Sequence, residues 1–379
     1  MAEFNVVVVG ASAGGVEALI RLVEGLPADM DAAVLIVIHM PPNSRSVLPQ
    51  ILSRSQRMPA THPADGQRIQ PGRIYVAPAD FHLLLTDDHR VTLAKGPKEN
   101  GCRPAIDPLF RSAAVHYRHR AIGVVLSGTL DDGSAGLLSI KKVGGVCIAQ
   151  EPKDALFSGM PQNAIDAADP DYILPADEIG TVLGKLCLNP AAELSIASDL
   201  ESIELQIDRL EAPHDATKQT GKNSEFGCPD CGGTLWEIQE TKGDFRFRCR
   251  VGHAYSSVSL LEDQSTNVER AIWTAMRALR EKADLCKRLA LRFKNKSKLD
   301  LSVRYEREAM QARSEADLLQ TLVKNSPGQR DYLGASSSQA DLGSSRDQLE
   351  APVDEARRSG KVVDLPLPVP DSPLGAEGT

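Results

Sequence analysis

Between Phe4 and about Leu188 the chain alternates short apolar runs with stretches of helical period, and that alternation constrains the fold more than any other feature. The runs NVVVVGA, AAVLIVIHM, GRIYVAPA, AIGVVLSG, GVCIAQ and DYILPA are each bounded by Gly, Pro, Asp or Asn. Strands of this kind joined by helices build an α/β domain around a largely parallel, doubly wound sheet. VEALIRLVEGL and SAGLLSIKKVG carry apolar residues at three- and four-residue spacing and predict two of the helices. In HLLLTDDHRVTLAK, residues 82–95, two apolar runs flank Asp87 and Asp88, which predicts an inserted β-hairpin.

The pattern changes after this domain, assigned to residues 4–190. SIASDLESIELQIDRL predicts a helix and the polar APHDATKQTGKNSE a linker, together filling 191–225. A cysteine cluster occupies 226–257. Over 258–325, Val268, Ile272, Met276, Leu279, Ala283, Cys286, Leu289 and Phe293 mark one face of a long amphipathic helix. KNKSKLD then turns the chain into a second helix through RYEREAMQARSEADLLQTL, giving an antiparallel pair. The tail, 326–379, is rich in Ser, Gly, Asp and Pro and is expected to be disordered.

A net charge of −8 argues against nucleic acid or an anionic membrane as the main partner. No run reaches the roughly 18 apolar residues of a membrane span, and Met1–Val9 lacks a secretory signal, so the cytoplasm is the expected location. Of seven cysteines, Cys102, Cys147, Cys187 and Cys286 are scattered singly while Cys228, Cys231 and Cys249 cluster. Reduced thiols and one metal site fit that distribution better than a disulfide framework.

In VVVVGASAGG, residues 10–14 satisfy G-x-S-x-G, in which glycines permit a sharp strand-to-helix turn that exposes a serine. A dinucleotide loop and a plain structural turn are the competing readings. The G-x-G-x-x-G spacing is absent, and the second strand ends on His39 rather than on an acidic residue, which weakens the nucleotide reading. LSGTLDDG places two aspartates just beyond another strand. In a parallel sheet Ser12, His39 and an aspartate then meet at the carboxyl edge, where an imidazole oriented by a carboxylate can activate a serine for acyl transfer.

GASAGG, IHMPP, YVAPADFHLLL, CRPAIDPLFRSAA and LSGTLDDGSAG, in that order, resemble the catalytic domain of the CheB-type chemotaxis protein-glutamate methylesterases over about residues 4–190. The resemblance implies Ser12 as nucleophile, His39 as general base and Asp132, which directly precedes Gly133, as the orienting acid. It implies the amides of Ala13 and Thr129 as oxyanion donors, and a reaction without a catalytic cofactor. The implied substrates are methyl-esterified glutamates, and some glutamines, on chemoreceptor helices. Ala13 and Thr129 depart from the residues frequent at these places, which bears on substrate fit, since both would act through the main chain. The first strand starts by Asn5, so a phosphorylatable receiver domain is not expected ahead of it.

Arg103 and Asp107 are expected either to line the cleft or to form a structural ion pair. RSAAVHYRHR, residues 111–120, reads as a solvated charged face, with an anionic partner as the alternative. Met160 and Pro161 resemble a family loop near the active site. Cys228 and Cys231 form C-x2-C, and after seventeen residues Cys249 and His253 form C-x3-H, a ligand set for tetrahedral, structural zinc. TLWEIQE and DFRFRCR read as strands of a zinc ribbon, with Phe245 and Phe247 packed over the metal and the arginines between them in solvent. The acidic chain favours a protein-contact role for the ribbon, and the helices behind it offer a surface for homodimerisation or for a cognate methyltransferase or other signalling partner.

Overall fold

The computed structural model describes residues 4–188, 203–212, 221–239 and 245–324. The expectations for 192–202 and for the 326–379 tail lie outside them. By contact density the chain divides after Ala316, and the elements of the fold belong to the larger unit that ends there, apart from the continuation of the last helix.

The first domain runs β1 (Asn5–Ala11), α1 (Gly15–Glu24), β2 (Ala32–Ile38), α2 (Leu48–Ser53), β3 (Ala60–Thr61), β4 (Arg73–Val76), β5 (His82–Leu85), β6 (Val91–Ala94), α3 (Ile106–Tyr117), β7 (Ala121–Val125), α4 (Ser134–Lys142), β8 (Val146–Gln150), α5 (Gly159–Ala168), β9 (Tyr172–Leu174) and α6 (Ala176–Leu188). Seven strands form one sheet in the order β3-β4-β2-β1-β7-β8-β9, and every pairing in it is parallel. Val6 and Val8 point into a core shared with Leu109 and Phe110 of α3 and Leu137 and Ile140 of α4. Val7 and Val9 point the other way, onto Leu19 and Leu22 of α1 and Ile179 and Leu183 of α6. Burial on both faces is why the strand reads as an unbroken valine run rather than an alternation. Strands β5 and β6 pair antiparallel as the expected hairpin.

Strand order turns about β1 and β7, so the loops after them open onto the crevice where ligands of α/β sheets collect. Two glycines fit this turn for different reasons. Gly14 has φ +70°, a left-handed conformation, and ends the turn before α1. Gly10 stays in β1, and a Cβ there would press on Ile106 of α3, including its Cδ1 at 2.8 Å. It serves close approach of that helix rather than the turn.

Beyond the α/β domain come α7 (Ile203–Asp208), the antiparallel sheet β10 (Lys222–Gly227), β11 (Thr234–Gln239), β12 (Phe245–Cys249) and β13 (Ala254–Ser256), then α8 (Ser257–Asn295) and α9 (Leu299–Lys324). The residues KNSE, expected in the linker, belong instead to β10, which pairs with β11. The helices form the expected hairpin: Phe293 stacks on Tyr305, and Ser302 donates to the Ala290 carbonyl at 3.0 Å.

Candidate active site and metal centre

Ser12 lies between the end of β1 and the start of α1, and its amide donates to the Ser127 carbonyl at 2.9 Å, which ties the turn to the loop after β7. His39 follows β2, its amide bound to the Ala11 carbonyl at 3.1 Å. The side chains line up: His39 Nδ1 is 3.1 Å from Ser12 Oγ, and His39 Nε2 is 2.7 Å from Asp132 Oδ2. With the proton on Nε2, directed at the carboxylate, Nδ1 is left as acceptor for the serine hydroxyl.

Asp132 is buried at the amino end of α3. It accepts from the Ile106 amide at 2.7 Å, the Asp107 amide at 3.3 Å and Asn100 Nδ2 at 3.1 Å. Burial alone would raise its pKa, but His39, the Ile106 amide and Asn100 outweigh it and hold the carboxyl at about 2. Burial would lower the His39 pKa, yet the hydrogen bond to Asp132 prevails and holds it above its ordinary value. Asp131, the neighbouring aspartate, does not reach His39 in this way; it accepts from Ser256 Oγ at 2.7 Å, and burial pushes its carboxyl up to about 6.

The amides of Ser12 and Gly128 are committed to the carbonyls of Ser127 and Phe157. Among the described residues, those of Ala13 and Thr129 donate to no protein acceptor. Met160 is buried, and a Cβ on Gly128 would strike its Sδ and come within 2.9 Å of Ser12 Cβ. The methionine thus packs the loop after β7 against the serine turn.

The CheB methylesterase family matches residues 7–183. A Caulobacter vibrioides protein-glutamate methylesterase/protein-glutamine glutaminase is 41% identical over 178 residues, 46% of this chain and 51% of the relative. A Pyrococcus horikoshii protein of the same name is 36% identical over 176 residues, 46% of this chain and 48% of the relative. A Leptospira interrogans protein that carries the name provisionally is 33% identical over 187 residues, 49% of this chain and 97% of the relative. The chain belongs to the CheB methylesterase family. It spans about half the length of its Caulobacter and Pyrococcus relatives. The crystal structure of the Thermotoga maritima CheB methylesterase catalytic domain shares 34% identity, covering all of that chain and 49% of this one with a TM-score of 0.47.

Outside the CheB methylesterase domain, the ligand atoms of Cys228, Cys231, Cys249 and His253 all lie within 4.8 Å of one another. Cys231 Sγ is 3.7 Å from Cys249 Sγ, and His253 Nδ1 is 3.7 Å from Cys228 Sγ and 3.5 Å from Cys249 Sγ. A tetrahedron with metal–sulfur bonds of about 2.3 Å has edges of about 3.8 Å, so the four atoms fit a single ion. Tight turns present both pairs: the Gly232 amide bonds the Cys228 carbonyl at 2.8 Å and the Gly252 amide the Cys249 carbonyl at 2.9 Å.

Strand β12 alternates as expected, with a different outcome for its arginines. Phe247 packs with Cys228, Cys249, Leu235 and Tyr255, while Phe245, also expected over the metal, is 41% exposed and lies outside that core. Arg246 and Arg248, expected in solvent, face the CheB methylesterase domain instead, and Arg248 is 1% exposed. Arg246 makes paired bonds of 2.7 and 2.8 Å to Glu204, and Arg248 lies 3.7 Å from Glu99, Glu204 and Asp208.

Arg111 joins them, 2.9 Å from Glu99 and 2.8 Å from Asp208. The 111–120 segment therefore begins with a buried structural cation, and the expectation of a solvated face fails there. Arg103 and Asp107 are not paired with each other. Arg103 binds Asp80, and Asp107 accepts from the Gly136 amide at 2.6 Å. Sequence reasoning missed Asn100, Glu99, Glu204 and Asp208. Only the acidic i, i+4 spacing in IELQID hinted at a charged face.

Proposed function

We propose that the chain is a cytoplasmic serine esterase that hydrolyses glutamate methyl esters, and deamidates glutamines, on chemoreceptor-type helices. The observation that carries this reading is the continuous hydrogen-bonded line Ser12 Oγ–His39–Asp132 at the carboxyl edge of the sheet. The names of its relatives supply the substrate class.

Ser12 Oγ attacks the ester carbonyl as His39 Nδ1 takes the hydroxyl proton, and Asp132 holds the resulting imidazolium. The amides of Ala13 and Thr129 receive the oxyanion. Collapse of the tetrahedral species breaks the bond to the methoxy oxygen, and His39 returns the proton to give methanol. Water, deprotonated by the same imidazole, then cleaves the acyl-enzyme to glutamate; a glutamine follows the same route with ammonia leaving.

Cys228, Cys231, Cys249 and His253 would hold one zinc ion, which would supply a structural cross-link rather than chemistry. The helical hairpin is the surface for a signalling partner or a second copy of the chain.

The test is methanol release from methylated receptor, comparing the intact chain with Ser12→Ala. Release that disappears in the variant supports the reading. Ser12-dependent cleavage of small esters alone would make the chain a small-molecule esterase. No Ser12-dependent hydrolysis of either would make it a non-catalytic adaptor.

A further inference from the structure

The loop 98–102 touches the candidate triad on one side and the metal ribbon on the other, and Asn100 makes both contacts. Its Nδ2 donates to Asp132 Oδ1 at 3.1 Å and to Asp107 Oδ2 at 3.3 Å. Its Oδ1 accepts from the Ser256 amide at 2.9 Å and from Ser259 Oγ at 2.8 Å. The orientation of the carboxamide is not arbitrary: a backbone amide can only donate, so the oxygen must face Ser256 and the NH2 group the carboxylates. Asn100 has φ +52°, a conformation asparagine tolerates better than other side-chain-bearing residues.

The main chain fastens the same loop. The Asn100 amide bonds the Ala254 carbonyl at 2.8 Å, and the Ala254 amide bonds the Lys98 carbonyl at 3.1 Å. Ala254 directly follows His253, whose carbonyl accepts from the Cys249 amide at 2.9 Å. One residue and one carboxamide therefore separate a metal ligand from the triad carboxylate. Ser256 Oγ reaches Asp131, the residue before that carboxylate, and Glu99, the residue before Asn100, is gripped by Arg111 and Arg246.

We infer that Asn100 is a positioning residue for Asp132 and that the metal-bound ribbon, by holding Asn100, sets the competence of the hydrolytic site. The inference rests on the esterase reading above. With the metal in place, the turn from Cys249 to His253 keeps Ala254, Ser256 and Ser259 in register on the loop, and the Asn100 carboxamide holds Asp132 Oδ1, the oxygen that the Asp107 amide reaches only at 3.3 Å. Without the metal the register is lost, the carboxamide swings away, and Asp132 no longer holds His39 square to Ser12. Such a loss lowers the rate of the chemical step and leaves binding of a small ester alone.

The experiment uses the full chain loaded with zinc to one equivalent, p-nitrophenyl acetate for kcat and KM, a fluorophosphonate for the labelling rate of Ser12, and hydrogen exchange over 98–102. Asn100→Asp keeps the oxygen that accepts from Ser256 and Ser259 but replaces the donor facing Asp132. It is expected to lower kcat between about tenfold and a hundredfold, as small misplacements of catalytic groups do, with KM and zinc content unchanged. Stripping zinc from the wild-type chain is expected to lower kcat and the labelling rate by a similar factor, to speed exchange at 98–102, and to cost the Asn100→Asp variant nothing further. Ser259→Ala, which leaves every metal ligand in place, lowers kcat in the same direction and tests the ribbon side even if the stripped chain unfolds.

Wild-type kcat in Asn100→Asp and Ser259→Ala would overturn the inference, as would zinc removal that speeds loop exchange without slowing Ser12, or that slows Asn100→Asp as much as wild type. If Ser12 is not labelled even in the loaded chain, the esterase reading falls and takes the inference with it. Equal labelling in every arm sinks the inference alone.

Discussion

On the proposed esterase reading, His39 is the residue whose environment sets the pH range of hydrolysis. Its imidazolium faces Asp132 at 2.7 Å and is held above its ordinary pKa. The base must be neutral, so hydrolysis falls as pH drops through that pKa, and the acid limb of kcat/KM is expected above about 6.5. Asp132→Asn removes the charge that raises it, so the limb moves to lower pH while kcat drops by roughly 10^4, the scale seen when a triad carboxylate is neutralised. A pH–rate profile on p-nitrophenyl acetate checks both, and a limb that stays in place rules out Asp132 as the partner. Gly10 supports the same carboxylate from further away. Gly10→Ala forces a methyl group against Ile106, whose amide binds Asp132, and such overpacking costs about 1–3 kcal/mol, readable as a lower urea midpoint. The role of Gly10 was hidden in the sequence because a glycine needed for close packing and one needed for a turn look the same. The meeting of Ser12, His39 and Asp132 was legible because Ser12 and His39 directly follow β1 and β2 and Asp132 lies in the loop between β7 and α4 of the same parallel sheet.

At the scale of elements, legibility followed burial. Strands β1 and β2 announce themselves because covering both faces demands continuous valine, isoleucine and leucine. The helical hairpin is equally plain, with Met276, Ala283 and Cys286 of α8 buried at three- and seven-residue spacing. Strand β10 was not, since KNSEFG is almost wholly exposed along its length and carries no apolar alternation to mark it. Its place depends on pairing with β11 and on the knuckle at Cys228 that follows. Metal removal is therefore expected to release β10–β13 while the seven-stranded sheet persists. A chelator should open 221–239 and 245–256 to limited proteolysis and leave the strands and helices of the α/β domain resistant, and equal cleavage of both regions would mean that the metal holds the whole fold.

The largest feature invisible in the sequence joins the parts of the whole molecule. Arg111 from α3, Glu99 from the loop before it, Glu204 and Asp208 from α7, and Arg246 and Arg248 from β12 form a buried cluster of three cations and three carboxylates. No local pattern predicts it, because its members lie as much as 149 positions apart, from Glu99 to Arg248. Burial would raise the Glu99 pKa, but Arg111, Arg248 and Arg246 outweigh it and hold the carboxyl below its ordinary value of 4.5. A depressed carboxylate contributes stability that is present above its ordinary pKa and lost as pH falls through the lowered one, so unfolding should become easier on the acid side of about pH 4. Removing one cation is a harsher test than protonating one acid. Arg248→Met leaves Asp208 and Glu99 short of a partner in a region closed to water, at an expected cost of about 3–5 kcal/mol. Replacing Arg248 and Asp208 together, by Met and Asn, keeps the cluster neutral and should recover a large part of that loss. Because the groups are shielded from solvent ions, the urea midpoint of the wild-type chain should change little between low and moderate salt. A strong salt dependence would instead mean that the ribbon and the α/β domain are joined by charges that water reaches.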